Sequence, residues 1–378
     1  MNDDTQNIVH YVMEVTTITA SALGRKLGAN LHDVTAWASG RQAVPKEVEA
    51  TLRAFIGGAE SPARDAPRVT RPILPSSLVH ADCREYLRSM PDECVDLIVS
   101  DIPYGIGLDE WDVLHANTNS AYLGSSEAQT RAGKVFDKRR KPINGWSKAD
   151  REQPNQYYEW CRTWTPDWLR VLKPGGSAFI FSGRRFAHRC ISAMEDEGFN
   201  LRDLISWERP RAVFRAQRLS VVFQKRAELG EAKRWDGWRV GNLQPTFEPI
   251  IWCFKPYDVT IADNVLDHHL GAINVDRYEA LSGSNENVLR FGFEKNERGY
   301  HDAQKPLALL QCLIEATTVP GQLVLDPFSG SGSTALAALR TERRYIAIEQ
   351  DEAIYEVSKR RLLAAEAQSQ LQLVLPSS

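Results

Sequence analysis

The sequence predicts an α/β protein: a doubly wound, mostly parallel sheet preceded by a small all-α unit. Three observations carry that expectation. From residue 78 onward, apolar runs of strand length alternate with helical patterns. A stretch dense in Gly, Pro, Ser and Ala, "GAESPARDAPRVTRPILPSS" at 58–77, separates this part from a helical region before it. Two of the strand-like runs, "CVDLIVSDIPYG" and "QLVLDPFSG", break off at an acid with a proline close behind. Proline cannot donate to a sheet ladder, so each run must end in a loop. In an open α/β sheet, ligands bind in loops at the carboxyl ends of strands.

The elements follow in order. Residues 1–57 form the helical unit, with Leu23 and Leu27, Val34 and Trp37, then Val48, Leu52 and Phe55 or Ile56 at helical spacing. Gly28 and Gly40 interrupt it where helices should end. Two short helices across "GAN", the second starting near Leu31, resemble the helix-turn-helix of phage repressors, which would expose His32, Asp33 and Thr35. A helical cap or a dimerisation module fits the same pattern. Residues 58–77 are the linker, and 78–370 the α/β domain.

In that domain "SLVHADCREYL" reads as strand then helix, and "CVDLIVS" as a buried strand. Residues 157–172 read as a helix stopped by "KPGG", "SAFIFSG" as a strand, 185–198 as a helix and "LRDLISW" as a strand. "QLVLDPFSGSGSTALAALR" gives strand, glycine turn and helix, "RRYIAIEQ" a strand, and 352–363 a last helix. The polar interval between Asp101 and Tyr157 reads as a functional loop.

Composition narrows the function. The 378 residues are 43% hydrophobic and 25% charged, ordinary for a globular protein, with a net charge of −3. No long apolar run and no secretory start are present, so a cytoplasmic protein without membrane contact is expected. The six cysteines form no C-x-x-C pair, which argues against a disulfide framework or a zinc site; no metal is expected.

The glycine turn "SGSGST" opens a helix, and the next strand ends in Glu349. An acid at that tip, beside a turn whose Gly330 and Gly332 admit a ligand to the backbone, suits ribose hydroxyls. There is no Gly-Lys-Ser/Thr, and Ala335 replaces the third glycine of the dinucleotide fingerprint. A nucleoside fits better than a pyrophosphate.

Together, "SDIPYG" and "DPFSGSGST…YIAIE" resemble the signatures of the S-adenosylmethionine-dependent DNA amino-methyltransferases, the adenine-N6 and cytosine-N4 family. "RVLKPGG", "LISWERP", "QPTFEPIIWCFKP" and "HDAQKP" extend the likeness over nearly everything after the linker. The catalytic tetrapeptide precedes the glycine loop, the permuted order of the β class. The resemblance implies a Rossmann-like methyltransferase fold and S-adenosylmethionine as cofactor. It makes Asp101, Ile102, Pro103 and Tyr104 the catalytic segment, although Ile102 stands where the family usually has proline. Only the carbonyl is needed there.

The target amine is a poor nucleophile because its lone pair is delocalised into the ring. The Asp101 carboxylate and the Ile102 carbonyl would accept its hydrogens, Pro103 would hold the turn, and Tyr104 would stack on a flipped base. For the cofactor, the resemblance points to Asp82, Asp101, His301, Gln304, Lys305, Pro306, Asp326, Pro327, Phe328, Gly330, Gly332 and Glu349. Asp82 and Asp326 would serve equally as helix N-caps, and Pro306 as a first helical residue.

Double-stranded DNA is the expected partner. The basic run over 209–226 falls in a segment, about 209–245, where this class recognises its target, which points to Arg211, Arg215 and Arg218. "KRRK" at 138–141 adds Arg139 and Arg140 on a second DNA-facing loop. Asp101 in place of serine favours adenine N6 over cytosine N4. The competing reading is a non-catalytic DNA-binding regulator with a cofactor-sensing domain. A homodimer is compatible with the sequence, and a cognate endonuclease is left open.

Overall fold

The structure is a computed structural model that describes residues 8–9, 12–13, 20–57, 72–104, 148–209, 217–240, 243–295, 297 and 304–374. The chain divides into two compact units, 1–70 and 71–378.

In the first unit, α1 (Ala20–Leu27) and α2 (Leu31–Ala38) flank the "GAN" turn, and α3 (Lys46–Gly57) follows. Asn30 caps α2 by accepting the Asp33 N–H at 2.9 Å. Leu23, Val34, Trp37 and Leu52 pack with Val9 and Val12 into a small core of their own. His32 and Thr35 are exposed and Asp33 half-buried. Most of the expected linker, 58–71, lies outside the described residues, and Ser77 already belongs to a strand.

The second unit is built on an eight-stranded sheet. Its strands are β1 (Ser77–His80), β2 (Val95–Asp101), β3 (Leu172–Phe181), β4 (Asn200–Glu208), β7 (Phe247–Phe254), β8 (Val288–Leu289), β9 (Leu323–Asp326) and β10 (Arg344–Glu349). Their spatial order is β1-β10-β9-β2-β3-β7-β4-β8. All neighbours run parallel except β7, antiparallel to both β3 and β4. This is the expected doubly wound, Rossmann-like arrangement. The strand order reverses between β9 and β2, so the loops leaving these two strands open into one crevice.

The helices are α4 (Cys83–Ser89), α5 (Lys148–Arg162), α6 (Thr165–Val171), α7 (Ala187–Glu197), α10 (Ile261–His268), α11 (Val275–Ser282), α12 (Leu307–Thr317), α13 (Ser333–Arg340) and α14 (Glu352–Val374). An excursion after β4 adds α8 (Leu219–Lys225) and α9 (Leu229–Arg234) between the short antiparallel pair β5 (Gln217–Arg218) and β6 (Arg239–Val240).

β2 shows why its sequence is almost continuously apolar. Ile98 faces a core that includes Tyr157, Trp164 and Trp168, whereas Leu97 and Val99 face another with Leu310, Leu313 and Ala337. A strand covered on both faces has no solvent side to mark with polar residues. Its one internal acid, Asp96, is 1% exposed. It binds Lys173 Nζ at 2.7 Å and accepts the Leu323 N–H at 2.8 Å, tying β3 and β9 to β2.

Several boundaries differ from expectation. The single helix over 157–172 is two, α5 and α6, broken before Pro166, which suits the first turn of α6. α5 begins at Lys148, so the end of the polar interval is helix rather than loop. "KPGG" does not merely stop a helix, because β3 runs through it, with Gly175 at φ 78°. Pro306 is the N-cap of α12, one residue before its first turn.

Candidate active site

The loops after β2 and β9, with the turn after β1 and the end of β10, line one cavity of about 320 Å³. Its lining includes Asp82, Gly330 and Glu349, and also Asp101, Pro103 and Lys305. Trp160, Trp164 and Phe328 line it as well, and the Phe328 ring centroid lies 5.8 Å from Trp160 and 6.3 Å from Trp164.

The glycine turn divides its work. Gly330 (φ 52°) faces open space within the cavity lining, so a ligand can come close to its backbone. Gly332 (φ 78°) has another reason: a Cβ there would lie 2.1 Å from Ser358 Oγ on α14. The expectation that both glycines admit a ligand holds geometrically only for Gly330. Glu349 accepts the Gly330 N–H at 2.9 Å and the Asp351 N–H at 2.8 Å. Burial raises its proton affinity, partly offset by these backbone bonds.

Asp326 is buried at the end of β9 and accepts the Ser100 hydroxyl at 2.7 Å and the Phe328 N–H at 3.2 Å. Burial pushes its carboxyl up to about 6, against the pull of Ser100 and Thr334. Pro327 follows in the cavity wall. Asp82 caps α4 through the Arg84 N–H at 2.8 Å and pairs with the Arg84 guanidinium at 2.5 Å. The Arg84 hydrogen bonds hold its carboxyl below the usual range.

In the segment after β2, Ile102 is buried in the core, and the Pro103 carbonyl accepts the Tyr157 hydroxyl at 3.0 Å. Asp101 pairs with Lys305 Nζ. The Tyr104 hydroxyl lies 2.8 Å from Asp101 Oδ1, and it also bonds Glu248. Lys305 Nζ is 3.2 Å from that hydroxyl and 3.4 Å from Glu248 Oε1. Burial alone would lower the Lys305 ammonium; the carboxylates of Asp101 and Glu248 outweigh it and hold it above its usual value. Lys305, expected toward the cofactor, is therefore also the counter-ion of the catalytic segment. Gln304, buried beside it, donates to the Glu297 carbonyl at 2.6 Å.

Sequence reasoning missed Glu248, Trp160 and Trp164. Glu248 had a signal: it is an acid in the otherwise apolar "FEPIIWCF". The two tryptophans looked like ordinary core.

His301, Arg139, Arg140, Arg211 and Arg215 lie outside the described residues. Arg218 is exposed, opposite Arg239 on the β5–β6 pair. Lys225, Arg226, Lys233 and Arg234 are exposed on α8, α9 and the turn between them, along with Glu228.

A family model described as DNA methylase, for the N6/N4 enzymes, matches residues 95–360. Type II methyltransferase M.HindIII of Haemophilus influenzae is 45% identical over 283 residues, 73% of this chain and 91% of that protein. The chain belongs to the N6/N4 DNA methylase family. Type II methyltransferase M2.MboI of Moraxella bovis is 24% identical to this methylase, over 75% of the chain and 86% of the relative. Among solved structures, PvuII DNA methyltransferase (cytosine-N4-specific) shares 18% identity over 76% of this methylase and 86% of that chain, with a TM-score of 0.49, too distant to bear on the site.

All six cysteines of the methylase are buried free thiols, and no group of side chains among the described residues could hold a metal ion. No helix among the described residues is long and apolar enough to cross a membrane.

Proposed function

We propose that the methylase transfers a methyl group from S-adenosylmethionine to the N6 amine of adenine in double-stranded DNA. The observation that carries this reading is one cavity lined by Asp101 together with Gly330 and Glu349. The cofactor fits the residues present. Three buried polar atoms of the lining residues, Ser329 Oγ, Gln304 Oε1 and Trp164 Nε1, have no protein partner, and Gly330 leaves room for a nucleoside.

Glu349 would hold the ribose, Phe328 would pack on the adenine ring, and Asp82 would face its amine. His301, Gln304, Lys305 and Pro306 would hold the methionine end, with Asp326 and Pro327 shaping the turn. The bound cofactor supplies an electrophilic sulfonium methyl.

The chain's own part is to position and to accept hydrogen bonds. Asp101 and the Ile102 carbonyl take the amine hydrogens, so the nitrogen lone pair is freed from the ring. Tyr104 offers a stacking face to a base flipped from the duplex. Arg218 and Arg239 would meet phosphates or base edges, along with Arg211, Arg215, Arg139 and Arg140. The segment 209–245 is then the recognition segment. In this reading the helical unit, 1–57, takes no part in the chemistry, and the methyltransferase domain begins with β1 at Ser77.

The test is to express the methylase in a host without DNA methylation and sequence the genome for modified bases. N6-methyladenine at one short motif is the expected result. N4-methylcytosine would overturn the choice of base, and unmodified DNA together with intact cofactor binding would favour a non-catalytic regulator.

A further inference from the structure

Glu248 is a buried acid for which the proposed chemistry has no use. It sits near the start of β7 with 6% of its surface exposed, where a charge needs a reason. Four charged or titratable groups face it. Tyr104, from the loop after β2, bonds it through the hydroxyl. Lys305 Nζ, just before α12, is 3.4 Å from Oε1, and Arg209 Nε, after β4, is 3.6 Å from Oε2. Asp101 lies beyond Tyr104, bonded to the same hydroxyl at 2.8 Å.

Two carboxylates, those of Asp101 and Glu248, share the Lys305 ammonium, and Glu248 also faces the Arg209 guanidinium. Between the two acids stands the Tyr104 hydroxyl with one proton, bonded to both. A half-buried acid at the cavity is thus joined through one hydroxyl to a second, buried acid. Methylation of an amine releases one proton: when nitrogen bonds the methyl carbon, an N–H bond must break and its electron pair must return to nitrogen.

We propose that Glu248 takes up the proton released by methyl transfer, passed on from Asp101 through the hydroxyl of Tyr104. This rests on the reading that the target amine binds at Asp101. The proton leaves nitrogen for an Asp101 oxygen. Asp101 then gives it to Tyr104 Oη as the proton of that hydroxyl moves to Glu248. Asp101 and Tyr104 return to their starting forms, and Glu248 becomes a neutral acid. Glu248 acts through Tyr104 and does not touch the base. Burial first, and then the Asp101 charge, raise its proton affinity against the pull of Lys305.

The experiment measures single-turnover methyl transfer to duplex DNA as a function of pH in the full-length protein. Glu248→Gln keeps an acceptor for the Tyr104 hydroxyl and removes the proton acceptor. It should slow transfer by about a hundredfold, in the range of general-base effects, with cofactor and DNA affinities unchanged. The wild-type rate should fall as pH drops and Glu248 is protonated beforehand; E248Q should lack that acid limb. Tyr104→Phe keeps the stacking ring and breaks the bridge, so it should match E248Q, and the double variant should be no slower than either.

In infrared difference spectra between free enzyme and product complex, a protonated-carboxyl band should appear in the wild type and be absent from E248Q. Wild-type rates and acid limb in E248Q, or the band persisting there, would overturn the proposal. If E248Q does not fold, Tyr104→Phe decides alone: wild-type transfer with an unchanged acid limb refutes the relay. An active Asp101→Asn variant would instead refute the amine site itself, whereas a dead D101N beside an unaltered E248Q would refute only the relay.

Discussion

Asp101 and Asp326 end adjacent parallel strands and stand in similar surroundings in the sequence, "SDIP" and "LDPF". The fold gives them opposite electrostatics. Asp101 is paired with Lys305, brought from 204 positions away along the chain. Asp326 has hydroxyls and a backbone N–H for company, and burial drives its carboxyl toward the neutral form, up to about 6. One strand end sets a carboxylate against an ammonium, the other uses its carboxylate to hold a turn. A motif of acid and proline marks where a site lies; the distant partner decides its chemistry.

Replacing the lysine-paired member should have the largest effect. Asp101→Asn should reduce methyl transfer about a thousandfold while leaving the fold intact, because it removes an acceptor aimed at the reacting amine. Methyl incorporation alongside circular dichroism would check this, and near wild-type turnover would erase the distinction between the two aspartates. Removing the partner comes next. Lys305→Met takes the ammonium from half-buried Asp101 and buried Glu248, leaving Glu248 only Arg209, and should cost about 3 kcal/mol in a denaturant titration. A cost near zero would mean that the pair is a solvated contact.

Asp326 gives the smaller, opposite signature. Its folded-state value is raised from 3.8 to about 6, so the native state binds the proton more tightly than the unfolded chain. Its contribution to stability is therefore greatest at acid pH and is lost as pH rises from 3.8 through about 6, up to about 3 kcal/mol at 1.4 kcal/mol per pH unit. Asp326→Asn should flatten that part of the profile. A wild-type slope retained in the variant would move the titration to another group.

Glu349→Ala should weaken S-adenosylmethionine binding by about 1–3 kcal/mol, the range for a hydrogen bond to a charged group, as read by calorimetry. Equal affinity would put the ribose elsewhere. The smallest effect is expected from deleting residues 1 to about 65, since the first unit has its own core. Cofactor affinity should stay within about twofold, and an insoluble product would make that unit part of the catalytic fold.

Most of the sheet was legible because strands covered on both faces are written in aliphatic residues and end at Gly or Pro. The part of the cavity wall made by Gly330 and Glu349 was legible for the same reason: strand, glycine turn and terminal acid are contiguous or nearly so. The Lys305–Glu248 pair was not, because an ion pair between segments far apart in the chain leaves no local pattern. The break at Thr163–Trp164 was hidden by an apolar periodicity that continues across it. The short antiparallel pair β5–β6 was masked by its charge, since two-residue strands carry no alternation.

The clasp formed by Asp96 has a consequence for biosynthesis. The strand that holds it leaves the ribosome early, while the Leu323 N–H it binds emerges more than two hundred residues later. Until then the middle of the sheet has one raw edge, and long-range pairing of this kind is slow to form. The cavity is equally late, since Asp82 and Asp101 must wait for Gly330 and Glu349. A nascent chain arrested before that point therefore carries Asp101–Tyr104 but lacks the cavity wall from Asp326 to Glu349. Hydrogen exchange on stalled chains would reveal it as a β2 that gains protection only once β9 has cleared the exit tunnel.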